Sequence, residues 1–180
     1  MSDEPTRAPA HRVHDPAALE AELAERFEAL GIHAHTVEHA PVMTVEEAKS
    51  ARTQHDGPHA KNLFVRNKKG VMYLVSLLED RAVDLKDLGR RIGAGHLSFA
   101  SHERLRTHLG VEPGSVTPLA ALADRDRLVT VVLDRALLEA EIVHVHPLRN
   151  DRTTGLRSAD LRRFLESVGH TPVVVDFDEV

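Results

Sequence analysis

Four apolar residues near the N-terminus recur at helical spacing and would share one face of a helix. They are Leu19, Leu23, Phe27 and Leu30. Asp15 and Pro16 precede them, and aspartate at the N-cap followed by proline at the first helical position is a typical helix start. Gly31 is a typical helix end. The pattern therefore predicts a helix over residues 16–30.

Two further elements are predicted before residue 57. Residues 32–39, "IHAHTVEH", alternate between apolar and polar side chains, which predicts a strand. The segment Thr44-Val45-Glu46-Glu47 matches a capping box. We therefore expect a second helix that begins there and ends near Gln54.

A β-hairpin is predicted in the centre of the first half. "KNLFVRN" (61–67) and "VMYLVSLL" (71–78) are rich in apolar and β-branched residues. The turn signal "KKG" separates them.

Shorter elements are predicted over the rest of the chain. Helices are expected within 83–93, 102–110 (with Ser101 as N-cap) and 158–170, and a short one after the Gly114–Pro118 loop. Extended segments are expected at 96–101, 127–134, 140–148 and 171–177. Strands and helices mix without a regular βαβ alternation, so the fold class is α+β. We expect a disordered tail at residues 1–15 and a single compact domain at 16–180.

Composition narrows the classes of function. The net charge of −5 counts against bulk coating of nucleic acid, although a small basic patch can still hold a few phosphates. Aromatic residues make up only 3% of the chain, which argues against an extended base-stacking surface. Cysteine is absent, which excludes thiolate chemistry. Without a long apolar run or a signal peptide, we expect a cytoplasmic protein.

Several motif-like stretches do not meet the requirements of the motif. "RIGAGHLS" lacks the last glycine of a dinucleotide-binding loop and follows no predicted strand. The histidines of "HERLRTH" are six residues apart, too far apart in phase to share a helix face. His144 and His146 would face one side of a strand and could begin a metal site, but no third ligand can be assigned. We expect no bound metal and no cofactor.

Lys61 is the most informative residue of the hairpin. It stands at the head of the apolar run Leu63–Val65, and an ammonium there is costly to bury without a partner. Either Lys61 points to water at a rim, or it holds a negative group in a cleft. Arg66, Lys68 and Lys69 follow it closely and are candidates for contact with phosphates.

Three stretches together resemble a known family. "HAKNLFVRNKKG", "LGVEPGSVTPLAAL" and "HPLRNDRTT" occur in this order. With them the chain resembles the YbaK/ProX family of aminoacyl-tRNA editing domains, and within it the free-standing prolyl-tRNA editing branch. The resemblance implies a mixed, barrel-like β-sheet flanked by helices.

The resemblance also implies roles for single residues. Lys61 matches the essential lysine, Asn62 follows it as in the family, and His146 matches the histidine opposite. The amino-acid pocket is implied to lie beside the loop of Gly114, Ser115, Val116, Thr117 and Pro118, and beside Met43, where phenylalanine is common. His96 stands where a basic tRNA-binding residue is expected, and Arg66, Lys68 and Lys69 are expected to meet the acceptor stem.

The activity so implied is hydrolysis of a mischarged aminoacyl-tRNA, most of all Ala-tRNA(Pro), by attack of water on the ester. Lys61 is expected to anchor the terminal phosphate; its rival roles are oxyanion stabiliser and general base. Backbone N–H groups of the Gly114–Thr117 loop are candidate oxyanion donors. The alternatives are a deacylase for Cys-tRNA(Pro) or Ser-tRNA, and a non-catalytic module that binds tRNA ends. We expect a monomer that meets the acceptor stem of tRNA(Pro), with transient contact to prolyl-tRNA synthetase.

Overall fold

The N-terminal helix, α1 (Pro16–Leu30), forms as its sequence predicts. The computed structural model describes residues 13–41 and 57–179. The Asp15 carboxylate accepts from the Ala17 N–H at 3.1 Å, and Gly31 ends the helix with φ of 66°. Leu19 and Leu23 are buried. No helix among the described residues is long and apolar enough to cross a membrane.

Eight strands and four further α-helices follow among the described residues. The strands are β1 (His35–Glu38), β2 (Ala60–Asn67), β3 (Met72–Leu78), β4 (Leu97–Phe99), β5 (Val129–Asp134), β6 (Ile142–Val145), β7 (Arg152–Arg157) and β8 (Val173–Val175). The helices are α2 (Leu85–Arg91), α3 (His102–Leu109), α4 (Arg135–Glu139) and α5 (Ser158–Ser167), with a 3₁₀-helix at Pro118–Ala123.

The strands are divided between two sheets. Five strands follow the order β4-β2-β3-β5-β8, with antiparallel pairs around β2 and parallel pairs around β5. Three antiparallel strands follow the order β1-β7-β6. A parallel bridge between His59 and His144 joins β6 to the start of β2, and the His144 N–H donates to the Pro58 carbonyl at 3.0 Å.

Both faces of the five-stranded sheet are covered by apolar side chains. Leu74 of β3 belongs to the larger cluster, which includes side chains from α1, α3, α5 and the 3₁₀-helix. Its neighbour Val75 points the other way, into a smaller cluster with Leu88 of α2. The central strands are therefore almost continuously apolar, as expected for strands buried on both faces.

The fold confirms the predicted α+β class. The expected barrel-like sheet takes the form of two sheets joined by the His59–His144 bridge. The hairpin is β2–β3, and Ser101 caps α3 through a 3.1 Å bond from the Arg104 N–H. Two elements were not predicted, strand β7 and the short helix α4.

Two predictions concern residues that the structure describes incompletely or not at all. The helix expected from Thr44 lies outside the described residues. Of the expected tail, residues 13–15 are described: the imidazole of His14 donates to the Thr107 carbonyl at 2.9 Å, and Asp15 caps α1. The boundary at residue 15 stays a prediction.

Candidate active site

Lys61 lies near the start of β2, opposite Leu77 of β3, and is half-buried. Its ammonium donates to the backbone carbonyl of Arg81, in the turn after β3. Burial is the main cause that lowers the pKa of Lys61, and the positive charge of Arg81 adds to it, while Asp80 and Glu79 act in the opposite direction. Lys61 is thus a partly desolvated cation held at one end of the sheet.

His146 follows β6 directly and is also half-buried. Its Nδ1 lies 2.9 Å from the carbonyl oxygen of Arg152. Because a carbonyl only accepts, Nδ1 carries the proton, and Nε2 of the neutral ring keeps its lone pair. Burial, and to a lesser extent the nearby His39, lowers the pKa of His146, against the bond to Arg152 and the charge of Glu79. The neutral ring can therefore accept a proton at Nε2.

The His59–His144 bridge brings Lys61 and His146 to the same end of the fold. The two strands run parallel from this bridge, and Lys61 and His146 each lie two residues beyond it. The rings of His59 and His144 stack with centroids 4.5 Å apart. Glu79 raises the pKa of both Lys61 and His146, which places its carboxylate within electrostatic reach of each.

Asn62 points to the opposite face of β2 from Lys61, since neighbouring strand residues alternate. Its Oδ1 accepts from the hydroxyl of Ser76 at 2.6 Å, and Ser76 is fully buried. The structure thus gives Asn62 a buried polar partner next to the site. A direct role for Asn62 in catalysis stays a prediction.

The Gly114–Pro118 loop leads into the 3₁₀-helix. Gly114 has φ of 89°, a conformation that favours glycine, and the Thr117 hydroxyl caps the helix by accepting from the Leu119 N–H at 3.3 Å. The Ser115 N–H donates to the Glu112 carbonyl at 3.0 Å. This N–H is therefore engaged inside the protein, which removes it from the loop donors expected to bind an oxyanion.

A cavity of about 660 Å³ lies beside this loop. Ser115 lines it together with Pro41, at the end of the segment after β1, and with Leu148 and Asn150, which follow His146. The cavity is large enough for a ligand of drug size, well beyond a single amino acid. Val116, which follows Ser115, packs against the larger apolar cluster, and Pro118 is buried. Met43, the other expected wall residue, lies outside the described residues.

The segment after His146 carries a feature that the sequence analysis missed. Leu148 has φ of 69°, an unusual left-handed conformation for leucine. Arg149 holds the segment by a two-pronged ion pair with Asp151, at 2.9 and 2.7 Å, and also reaches Glu20 of α1 at 3.4 Å. Strained backbone of this kind concentrates at functional sites, and here it borders the cavity.

The sequence predicts that the basic residues of the hairpin lie beside Lys61. In the structure they do not. Arg66 is five residues further along an extended strand, a separation of about 17 Å at ~3.3 Å per residue, and it points to the opposite face. Lys68 and Lys69 are exposed in the turn beyond it. The short distance in sequence was misleading because an extended strand has a larger rise per residue than a helix.

His96 does join this basic group. It is exposed and precedes Leu97, which pairs with Asn67 at the end of β2. Phe99 lies two residues further along the same edge strand and is 64% exposed. Phe99 was not among the residues predicted from the sequence, although an exposed aromatic ring near cations is a common feature of nucleic-acid interfaces.

His144 and His146 do not begin a metal site in the part of the chain that the structure describes. No three side chains among its histidines, aspartates and glutamates are grouped so as to hold a metal ion. His144 instead stacks on His59 and is given room by Gly155, where an added Cβ would lie 3.0 Å from its Nε2.

Comparison with known proteins places this geometry in a family. Residues 39–164 match the family model described as an aminoacyl-tRNA editing domain. A prolyl-tRNA synthetase associated domain-containing protein 1 from Danio rerio is 42% identical over 165 residues, covering 91% of this chain and 90% of the relative. The prolyl-tRNA editing protein ProX of Acetoanaerobium sticklandii is 37% identical over 158 residues, covering 87% and 96%.

The fold itself is shared with solved structures. A crystal structure described as a candidate trans-editing enzyme for prolyl tRNA synthetase superposes with a TM-score of 0.66 at 23% identity, covering 92% of this chain and 99% of that one. The chain therefore belongs to the aminoacyl-tRNA editing domain family and is an aminoacyl-tRNA deacylase.

Proposed function

We propose that the substrate is Ala-tRNA(Pro), hydrolysed after release from the synthetase that mischarged it. The observation that carries the proposal is that Lys61 and His146 each lie two residues beyond the His59–His144 bridge, at the same end of the fold, in a chain similar to proteins named for prolyl-tRNA editing. The pocket of a prolyl-tRNA synthetase must accept proline, so the smaller alanine enters as well. Binding separates side chains that differ by a methylene by only ~1–3 kcal/mol, which is why a second sieve is useful.

The chemistry needs no protein nucleophile. A water molecule attacks the ester carbonyl, His146 Nε2 accepts a proton from this water, and the ring then returns the proton to the ribose oxygen as the acyl–oxygen bond breaks. The products are free alanine and tRNA. Lys61 anchors the phosphate of the terminal nucleotide, and its contact with the Arg81 carbonyl keeps the ammonium in place while leaving two N–H bonds for the substrate.

The tRNA follows β2 from the basic turn to Lys61. Arg66, Lys68, Lys69 and His96 contact phosphates of the acceptor stem, and the ring of Phe99 offers a base a stacking surface on the way to the site. Few phosphates are touched, so the net charge of −5 is no obstacle to this binding. Lys61 and the start of the basic turn are about 17 Å apart along β2, a spacing that suits a substrate held at two points along its length.

Selectivity against proline comes from the walls of the amino-acid pocket. The cavity beside the loop is much larger than an alanine side chain, and neither Lys61 nor His146 lines it, so its size does not explain how proline is excluded. The sieve is formed beside the Gly114–Pro118 loop and His146, and Met43, which the sequence also assigns to the pocket, is expected to contribute to it. Overfilling a packed wall causes strain, so exclusion by size can be steep.

A deacylation panel tests this proposal. tRNA(Pro) charged with alanine, cysteine, serine, glycine or proline is incubated with the enzyme, and release of the amino acid is followed against the spontaneous rate. Alanine should be released fastest. A clear preference for cysteine or serine would replace the proposed substrate, and binding of tRNA without hydrolysis of any ester would favour a module that only binds tRNA ends.

A further inference from the structure

The carbonyl that holds Lys61 belongs to a residue whose side chain is itself fixed by two carboxylates. The Arg81 guanidinium donates through Nε to Asp134 at 2.7 Å and through an Nη to Asp178 at 3.0 Å. Its Cζ also lies 5.5 Å from the ring centre of Phe177. The Arg81 N–H closes the turn by donating to the Leu78 carbonyl at 3.0 Å. The backbone of Arg81 therefore has little freedom to move.

Asp134 anchors this arrangement from inside the protein. Its side chain is 1% exposed, and besides Arg81 it accepts from the Leu78 N–H at 3.1 Å and the Ala136 N–H at 3.0 Å. One carboxylate thus ties together the end of β3, the start of α4 and the turn that carries the Arg81 carbonyl. A buried carboxylate is stable there only because all these donors are present.

The contact gives Lys61 a fixed position without cancelling its charge. A carbonyl is a dipole, so it orients the ammonium and leaves its full positive charge for the substrate. A carboxylate in the same place would form an ion pair with Lys61 and weaken its hold on phosphate. In the observed arrangement the carboxylates of Asp134 and Asp178 are bound by the Arg81 guanidinium instead.

We propose that Arg81 and Asp134 are positioning residues for Lys61: Asp134 fixes Arg81, and the Arg81 carbonyl fixes the ammonium that holds the substrate. The assignment deepens the proposed function, because it takes Lys61 as the group that anchors the aminoacyl-tRNA. Neither residue touches the substrate. Their effect on hydrolysis runs through the position and charge of Lys61.

Arg81 should act on Lys61 in two separable ways. Its positive charge helps to lower the pKa of Lys61, together with burial and against the charges of Asp80 and Glu79 in the same turn. Its guanidinium fork holds the turn in place. Arg81→Met removes both effects, whereas Arg81→Lys keeps the charge but cannot reproduce a fork shared between two carboxylates.

Nuclear magnetic resonance of the lysine side chains provides the test. The chain has five lysines, so ¹³Cε signals can be resolved, and the signal lost in Lys61→Arg identifies Lys61. Each signal is titrated in the wild type, Arg81→Met and Arg81→Lys. Lys86, which is exposed on α2, is the internal control, and Arg135→Met is the matched variant, since Arg135 also pairs with a carboxylate of the C-terminal segment, Asp176. The values of kcat and KM for the charged tRNA are measured in parallel.

Arg81→Met should raise the pKa of Lys61, leave that of Lys86 unchanged and lower kcat at least tenfold. Arg81→Lys should retain the pKa of Lys61 and still lower kcat several-fold, and Arg135→Met should resemble the wild type. An unchanged titration of Lys61 in folded Arg81→Met would overturn the assignment. If that variant does not fold, wild-type kcat in Arg81→Lys would overturn it. Because the titration needs no substrate, a shifted pKa of Lys61 in an enzyme that hydrolyses no charged tRNA would support the action of Arg81 on Lys61 and refute the proposed function.

Discussion

Replacing Lys61 by methionine tests the proposed anchor with little change of shape. Methionine keeps an unbranched apolar stem along the half-buried strand and removes the ammonium. The bond to the Arg81 carbonyl is lost, and so is the positive charge at the sheet junction.

The structural cost and the catalytic cost should differ clearly in size. One intramolecular hydrogen bond contributes about 0.5–1.5 kcal/mol, and relief from burying the charge offsets part of its loss. For a domain of this length, that predicts a fall in Tm of only a few degrees, at ~2–4 °C per kcal/mol. Loss of the charge that positions the ester should misplace the reacting carbonyl, and misplacement by about 1 Å can cost ~10² in rate, or about 2.7 kcal/mol.

The assay compares kcat/KM for Ala-tRNA(Pro) between the wild type, Lys61→Met and the control Lys86→Met, with folding checked by thermal unfolding. Lys86 is exposed on α2, so its replacement should leave the rate unchanged. We expect at least a hundredfold loss for Lys61→Met alone. A folded Lys61→Met enzyme within threefold of the wild-type rate would refute the role given to Lys61.

Two further predictions concern His146 and the tRNA path. The value of kcat/KM should fall on acidification with an apparent pKa below 6.5, because burial lowers the pKa of His146 and the base must be neutral. His146→Gln should remove this loss of activity at low pH. A loss that persists in the variant would assign the titration to another group. Neutralising the hairpin cations should reduce the salt slope of tRNA binding by about 2–3, at roughly 0.7–0.9 for each phosphate contact, whereas Phe99→Leu should weaken binding without changing the slope. The hairpin set is Arg66→Gln, Lys68→Gln and Lys69→Gln, and its charge-matched control on exposed positions is Arg157→Gln, Arg162→Gln and Arg163→Gln. An unchanged slope in the hairpin set would place the RNA elsewhere.

Local signals made most of the fold predictable from the sequence. The bounds of helix α1 were predictable because Asp15 and Gly31, which flank it, are residues suited to an N-cap and a C-cap. Strand β7 was missed because its sequence, "RTTGLR", has a glycine and two arginines and no simple alternation. It exists because its backbone pairs with both β1 and β6. The five-residue helix α4 likewise depends on the cap from Asp134.

The spatial arrangement of the site was less predictable. Family motifs pointed to Lys61 and His146, and the His59–His144 bridge between the two sheets places them at the same end of the fold. No local pattern could show that Arg66 points away from Lys61 or that the Ser115 N–H is already engaged by Glu112, since both follow from long-range pairing and loop geometry. The fixation of Arg81 by Asp134 joins residues 53 positions apart and was equally invisible in the sequence.

The most direct test of the proposed substrate is the ratio of deacylation rates for Ala-tRNA(Pro) and Pro-tRNA(Pro), measured with the same enzyme under identical conditions. Alanine should be released rapidly, and proline almost not at all above the spontaneous rate, because the second sieve must spare the correctly charged tRNA. Equal rates for the two esters would contradict it.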